Sequence, residues 1–338
     1  MTKGLALLAV IALALVSAVA AGARTLDALT GAGSTFVYPL VSQWIPAYQQ
    51  LAGVTVTYGS VGSGAGIAQI TARTVDFGAS DAPLTPDQTS ACNGCVQIPW
   101  AVSGTSIDYK VSGIPQHINL TGPVIAWIYL GQITTWNDPR IKKLNPGVTF
   151  PDLKITPIYR SDGSGTTYNF TDYLSSVSSR WKSQVGIATT VNFPTGIGGK
   201  GSSGVSGVLS QTEGGIAYTD VAYAVANHFQ TAKLQNAAGK FLLANNVNIQ
   251  AAANTVTKVP ADNEMHIVNP PKSVPLAYPL CTFTYVILPL QTPNATNLRK
   301  FVFWALTGGQ KYGPPLRFVK IPLPVLVAAE KTLAKVHT

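Results

Sequence analysis

Short apolar runs, small-residue turns and helical patterns alternate along this chain. Residues 53–59 (GVTVTYG) place Val54, Val56 and Tyr58 at every second position, which predicts a strand. Residues 65–73 carry helical spacing, and residues 74–78 predict a short strand running into Ala79-Ser80-Asp81. The same reading predicts helices over 37–51, 127–130, 166–178 and 205–210, and strands at 155–159 and 215–220. Residues 108–111 and 274–288 read as strand regions flanking a central block, and residues 235–258, rich in Asn and Ala, as surface helices and loops. Such strand–turn–helix alternation points to an α/β protein. Pro46 falls inside the first helical pattern and is expected to kink or shorten it. No internal repeat is visible.

The N-terminus changes the picture of where this chain works. Lys3 precedes an uncharged run at residues 4–23, with a core at 5–16 of signal-peptide length and small residues at 18–20 and 21–23 that suit cleavage. Residues 1–24 are therefore expected to be a signal peptide, the alternative being an uncleaved membrane anchor, since about 20 apolar residues can cross a bilayer. Either reading puts the remainder outside the cytoplasm, periplasmic or extracellular. The later apolar stretch 316–329 is broken by Arg317, Lys320, Pro322 and Pro324.

Composition narrows the class further. The 338 residues are 46% hydrophobic, enough to build the core of two ordinary domains or one large one. Lys and Arg outnumber Asp and Glu by 23 to 14, but the cations are scattered, with Lys142-Lys143 and Arg299-Lys300 the densest pairs. That distribution argues against a nucleic-acid footprint, which needs clustered positive charge. Cys92-Asn93-Gly94-Cys95 sets an Asn-Gly turn between two thiols, and a tight disulfide suits an exported chain. A redox pair or half a zinc site are the alternatives, although zinc needs further ligands and no second CxxC or paired histidines occur. Cys281, in an apolar run, reads as a buried free thiol. Asn119, Asn169 and Asn294 each open an N-glycosylation triplet.

Candidate chemistry sits in four segments of one design: a strand end, a turn of small polar residues, a helix start. They are residues 31–36 (GAGSTF), 59–66 (GSVGSGAG), 77–84 (FGASDAPL) and 158–172 (IYRSDGSGTTYNFTD). A helix opening on Gly, Ser and Thr presents free N–H groups and hydroxyls at its positive end, and Arg160 beside it completes a site for a small oxyanion. Taken singly, each turn is an ordinary N-cap, Asp81 a cap for its own turn, and Arg160 a surface partner of Asp162. Ligands in open α/β sheets bind beyond the carboxyl ends of strands, so four such turns at one edge would ring an anion with donors. The glycine-rich residues 196–204 lack the GxxxxGK[ST] spacing and read as a flexible loop ahead of the helix at 205–210. A hydrolase reading finds little footing. His117, His228, His266 and His337 are far apart, and the turns around Ser63 and Ser164 lack GxSxG spacing.

These four segments resemble the motifs of the phosphate-binding proteins that serve the high-affinity phosphate ABC importer. Residues 128–137 (IYLGQITTWN), 144–147 (LNPG), 194–201 (PTGIGGKG) and 214–219 (GGIAYT) extend the resemblance, in the family's order, over nearly the whole mature chain. It implies a two-lobed α/β fold of the periplasmic-binding-protein kind, with two crossover strands near 108–111 and 274–278 and the ligand between the lobes. Lobe I would take residues 25–108 plus 277–338, and lobe II residues 109–276. The family's phosphate ligands carry over onto Thr35, Phe36, Ser63, Asp81, Arg160, Ser164, Gly165 and Thr166, with Asp162 bracing Arg160. Hydroxyls of Thr35, Ser63, Ser164 and Thr166 and the N–H groups of Phe36 and Gly165 would donate to the anion. The resemblance implies a binder that is not an enzyme, needs no cofactor or metal, acts as a monomer, closes on its ligand and docks on a membrane permease. Sulfate, molybdate or arsenate binding is the nearest alternative, and an extracellular phosphatase a more distant one. Asp81 is the odd member, since a carboxylate repels an anion unless that anion still has a proton to donate. Phosphate has one near neutral pH and sulfate does not. A site built around such a partner can reject the analogue lacking it by roughly 10⁴–10⁵. The CxxC turn, Pro46 and residues 230–272 depart from the family's pattern.

Overall fold

The computed structural model describes residues 28–338, so the expected signal peptide or anchor lies outside the described residues. Twelve strands occur among them: β1 (Ala28–Gly33), β2 (Thr55–Ser60), β3 (Phe77–Ser80), β4 (Cys95–Lys110), β5 (Asn119–Leu120), β6 (Thr156–Arg160), β7 (Ile197–Gly199), β8 (Gly215–Asp220), β9 (Gln230–Thr231), β10 (Lys233–Gln235), β11 (Phe241–Leu242) and β12 (Cys281–Pro289). Nine of them form one sheet in the order β2-β1-β3-β12-β4-β8-β6-β7, with β9 on β4; β11, β10 and β5 form a small second sheet. The sheet divides into two lobes at β4. Its first part, from Cys95 to Gly104, pairs with β12, and its second part, from Thr105 to Lys110, pairs with β8.

Each lobe has its own aromatic centre. In the first, Trp44, Phe77, Trp100 and Phe301 meet edge to face or tilted. In the second, Phe170 stacks on Tyr218, and both pack against Tyr129. Burial of rings this large supplies much of each core's stabilisation. No helix among the described residues is long and apolar enough to cross a membrane.

The strands at 53–59, 155–159 and 215–220 are observed within two residues of expectation. Most of β4 was not expected. It is buried along nearly its whole length on both faces, so it lacks the alternation that announces a half-exposed strand. Pro99 is tolerated in it because it lies where the register with β12 shifts. The expected crossover strand at 274–278 is a run of turns, since prolines at 270, 271, 275 and 279 remove ladder donors; the strand starts at Cys281. Residues 246–276, expected in lobe II, reach toward lobe I. Asn246 donates to Pro314 O (3.1 Å), Asn263 to Gln97 O (2.8 Å), and Met265 N–H to the Tyr285 hydroxyl (3.1 Å). Pro46 does not shorten its helix, which runs unbroken over Tyr38–Ala52. Pro46 faces solvent, Ser42, whose carbonyl it leaves without a helical partner, is half-buried, and buried Trp44 and Tyr48 hold the helix on either side.

Candidate anion-binding cleft

Three strand ends of lobe I converge on one cleft. β1 hands over to Ser34-Thr35-Phe36, where the Phe36 ring drops into the core against Phe318 and leaves its backbone at the turn. Neither Thr35 N–H nor Phe36 N–H donates to a protein acceptor among the described residues. The helix Ser63–Thr71 starts after β2, and Gly62 before it has φ 93°, a left-handed value that favours glycine. β3 ends directly at Asp81. Ser34 Oγ donates to Asp81 Oδ1 at 2.5 Å, and Ser63 Oγ donates to Oδ2 at 3.4 Å.

Lobe II supplies the cation and a helix start. β6 ends at Arg160, whose backbone N–H donates to the Tyr218 hydroxyl (3.0 Å); that hydroxyl also pairs with Thr167 Oγ1 (2.7 Å). One tyrosine thus ties Arg160 to the first turn of the helix Gly165–Val177. The Arg160 guanidinium makes a two-pronged bond to Asp162, at 2.8 and 2.6 Å. Asp162 Oδ1 also accepts from Gly201 N–H at 2.9 Å. Ser164 caps the helix by accepting from Thr167 N–H at 3.1 Å.

The two lobes touch through this set. Gly165 N–H donates to Ser63 Oγ (3.1 Å), Gly64 N–H to Gly163 O (3.0 Å), and Asn169 Nδ2 to Asp81 O (2.8 Å). Thr35 Oγ1 and Ser202 Oγ lie 2.7 Å apart. Ser63, Asp81, Arg160, Ser164 and Thr166 are all at most 6% exposed, so the cleft is closed and the Arg160–Asp162 pair is not a surface one. A Cβ on Gly165 would sit 2.6 Å from Asp81 Cβ, so only glycine permits this approach. The Thr166 hydroxyl is buried without a partner among the described residues.

Electrostatics follow from this burial. Burial pushes the Asp81 carboxyl up to about 6, against the downward pull of the Ser34, Thr284 and Ser63 hydroxyls and of Arg160. Burial also opposes ionisation of Asp162, but the Arg160 bonds outweigh it and hold that carboxyl below its ordinary value. A cleft with one already paired guanidinium and many neutral donors can take up an anion without burying a bare counter-charge.

The structure thus gathers Thr35, Phe36, Ser63, Asp81, Arg160, Ser164, Gly165 and Thr166 at one cleft, with Asp162 behind Arg160. Sequence reasoning missed Ser34, Ser202 and Tyr218. Residues 196–204 are not only a loop: β7 leads into a helix, Gly201–Gln211, that begins four residues before the expected start at 205 and brings Ser202 to Thr35. Asn169 is withdrawn as a glycosylation candidate, because its amide is buried and donates to Asp81 O and Gly165 O. The amides of Asn119 and Asn294, at partly exposed positions, donate to Leu144 O and Asp76. Cys92 and Cys95 form a disulfide, with Arg73 Nη1 3.3 and 3.1 Å from the two sulfurs, and Cys281 is a buried free thiol.

Comparison with known proteins bears on this geometry. A family model described as a PBP superfamily domain matches residues 18–308. A phosphate-binding protein PstS of Xylella fastidiosa is 40% identical over 298 residues, covering 87% of this chain and 81% of its own. The PstS of Haemophilus influenzae is 37% identical over 304 residues, covering 89% and 90%. Among solved structures, a high-affinity periplasmic phosphate-binding protein (PfluDING) bound with phosphate superposes with a TM-score of 0.71 at 21% identity, covering 90% of this chain and 93% of that one. An ABC-type phosphate transport receptor from Vibrio cholerae gives 0.57 at 19% identity, covering 87% and 100%. At these identities the structural matches establish the two-lobed fold.

Proposed function

Because the chain belongs to the PBP superfamily and to the PstS phosphate-binding proteins, we propose that it captures inorganic phosphate between its lobes and delivers it to an ABC-type importer. The reaction is binding and release, without bond cleavage. It takes place outside the cytoplasmic membrane, after export directed by the N-terminal segment, and the chain acts there as a monomer.

One observation supports this reading above the others: a carboxylate, Asp81, faces into a closed cleft otherwise lined by donors and one guanidinium. Most oxyanion sites would exclude such a group. A protonated oxyanion makes use of it, giving its hydrogen to Asp81 while its remaining oxygens accept from Thr35, Phe36, Ser63, Arg160, Ser164, Gly165 and Thr166. Hinge motion about β4 would open the cleft, and closure would re-form the Gly64–Gly163 and Asn169–Asp81 bonds around the ion, with the Gly165 N–H turning from Ser63 Oγ to the anion.

Calorimetric titration with phosphate, arsenate, sulfate and molybdate tests this. Tight phosphate and arsenate binding with weak sulfate and molybdate binding is expected, together with no release of product from a chromogenic phosphate ester. Equal affinity for sulfate, or ester turnover, would refute it.

A further inference from the structure

We propose that Asn169 is a positioning residue that sets how long bound phosphate stays: its side-chain amide ties the two lobes across the closed cleft and holds Asp81 against the donors of Gly165 and Thr166. The inference rests on the phosphate reading above and adds to it a residue outside the ligand set.

Asn169 lies one turn into the helix Gly165–Val177 and is 6% exposed. Its Nδ2 donates to Gly165 O and to Asp81 O, each at 2.8 Å. The first bond stays within the helix and fixes the direction of the amide. The second crosses to lobe I. Both acceptors are carbonyl oxygens, which cannot donate, so the NH2 end of the amide must face them, and both of its protons are used. Asn is a mediocre residue for a helix interior, and the bond across the cleft gives it a reason to be there.

The other bonds that cross the cleft differ in what the anion takes from them. Gly165 N–H to Ser63 Oγ, and the Thr35–Ser202 pair, use donors that the ligand needs. Gly64 N–H to Gly163 O is made by backbone alone. Asn169 competes with the ligand for nothing: it takes the main-chain oxygen of Asp81 and leaves the carboxyl to meet the ligand's proton. Asp81 O also accepts from Thr282 Oγ1, within lobe I, at 3.3 Å. The two backbones meet at the same point, where a Cβ on Gly165 would lie 2.7 Å from Asp81 N. The amide therefore sets the spacing between the acceptor on one lobe and the helix-end donors on the other. Its bond to Asp81 forms after the anion has entered the open cleft and must break before the anion leaves. It should act on dissociation and leave association nearly untouched.

Stopped-flow kinetics and calorimetry with inorganic phosphate, on the full chain at pH 8, test this. Asn169→Leu is close in size and a better helix former, but it removes both donors. Phosphate dissociation should quicken about five- to fiftyfold, with association within about threefold of wild type and affinity falling in step. Asn169→Asp keeps the shape of the side chain but turns acceptors toward both carbonyls, and should release phosphate faster still. Were packing alone at stake, this isosteric change would be the milder of the two. Dissociation of Asn169→Leu within about twofold of wild type, a loss carried by association, or an Asn169→Asp milder than Asn169→Leu overturns the proposal. Should neither variant fold, side-chain amide exchange in wild type decides. By NMR the Asn169 Nδ2 protons should exchange with water more slowly when phosphate is bound than when it is absent, and equal rates are decisive against the proposal. Failure of wild type to bind phosphate would instead overturn the functional reading itself.

Discussion

Asp81→Asn, read with sulfate as the ligand, isolates the step that sets the cleft's selectivity. Sulfate remains a dianion between pH 5 and 8 and has no proton to give. It therefore meets Asp81 productively only when Asp81 carries the proton. In the closed cleft burial raises that carboxyl to about 6. Its protonated fraction is then about 1% at pH 8, about 10% at pH 7, half at pH 6 and about 90% at pH 5. Wild-type sulfate affinity should rise about 90-fold from pH 8 to pH 5, mostly above pH 6, and level off below it. Discrimination through this group at pH 8 is then about 100-fold, or about 3 kcal/mol. That is well short of the roughly 10⁴–10⁵ expected for a site with a fixed acceptor. The difference is physical: a carboxylate that can itself take a proton becomes a donor, and the clash is relieved.

The sign of the linkage follows from the same shift. Asp81 is raised above its unfolded value, so its contribution to the stability of the ligand-free closed form is fullest below about pH 4 and is lost as pH rises through about 6. Asn cannot titrate. Sulfate affinity of Asp81→Asn should be flat from pH 5 to 8 and close to the wild-type value at pH 5, while phosphate affinity falls about ten- to a hundredfold for loss of a charged acceptor. Calorimetric titrations of both proteins with both anions at four pH values supply the measurement. A flat wild-type sulfate profile, or a slope retained in Asp81→Asn, refutes the assignment.

Three further outcomes are expected. Gly165→Ala would press a methyl group to 2.6 Å from Asp81 Cβ; overpacking of this kind costs about 1–3 kcal/mol, so phosphate affinity should drop about 5- to 150-fold by calorimetry. Unchanged affinity would mean that closure does not bring these residues together. Arg160→Lys keeps the charge but loses the two-pronged bond to Asp162, and should weaken phosphate binding about tenfold or more while leaving phosphate preferred over sulfate; full retention would remove Arg160 from the site. His266 bridges Asp172, on the helix that carries Gly165, and Glu264, beside residues packed on lobe I. Asp172 first, then Glu264, raise it to about 9 against burial, so its stabilisation is full below about 6.5 and lost as pH rises through about 9. Wild type should lose thermal stability over that window more than His266→Gln does, by a modest amount since the ring is half exposed and screened; parallel profiles would dismiss the bridge.

What the sequence disclosed and what it hid divide along a physical line. Turn chemistry is local: Gly62 precedes a helix at a left-handed φ, Ser164 caps the helix that follows it, and Arg160 and Asp162 are two residues apart. Each such requirement is written in adjacent residues, which is why four cleft segments and the strand ending at Asp220 were legible. Partners set by topology were not. Thr35 and Ser202 are 167 residues apart, Ser63 and Gly165 102 apart, and neither member of a pair carries a mark of the other. Asn169 is the clearest case. Its triplet signals a surface site, yet the fold uses the amide to bind Asp81 O and Gly165 O across the cleft. β4 escaped for the opposite reason, being apolar or buried on both faces with no alternation to read. The groups that meet the ligand, Asp81 included, and the neighbours that hold them therefore differ in legibility. The donors belong to turns and could be found one by one. The groups that hold them in place, such as Ser34 on Asp81 and Tyr218 on Arg160, come from segments 47 and 58 residues away, and only the fold brings them there.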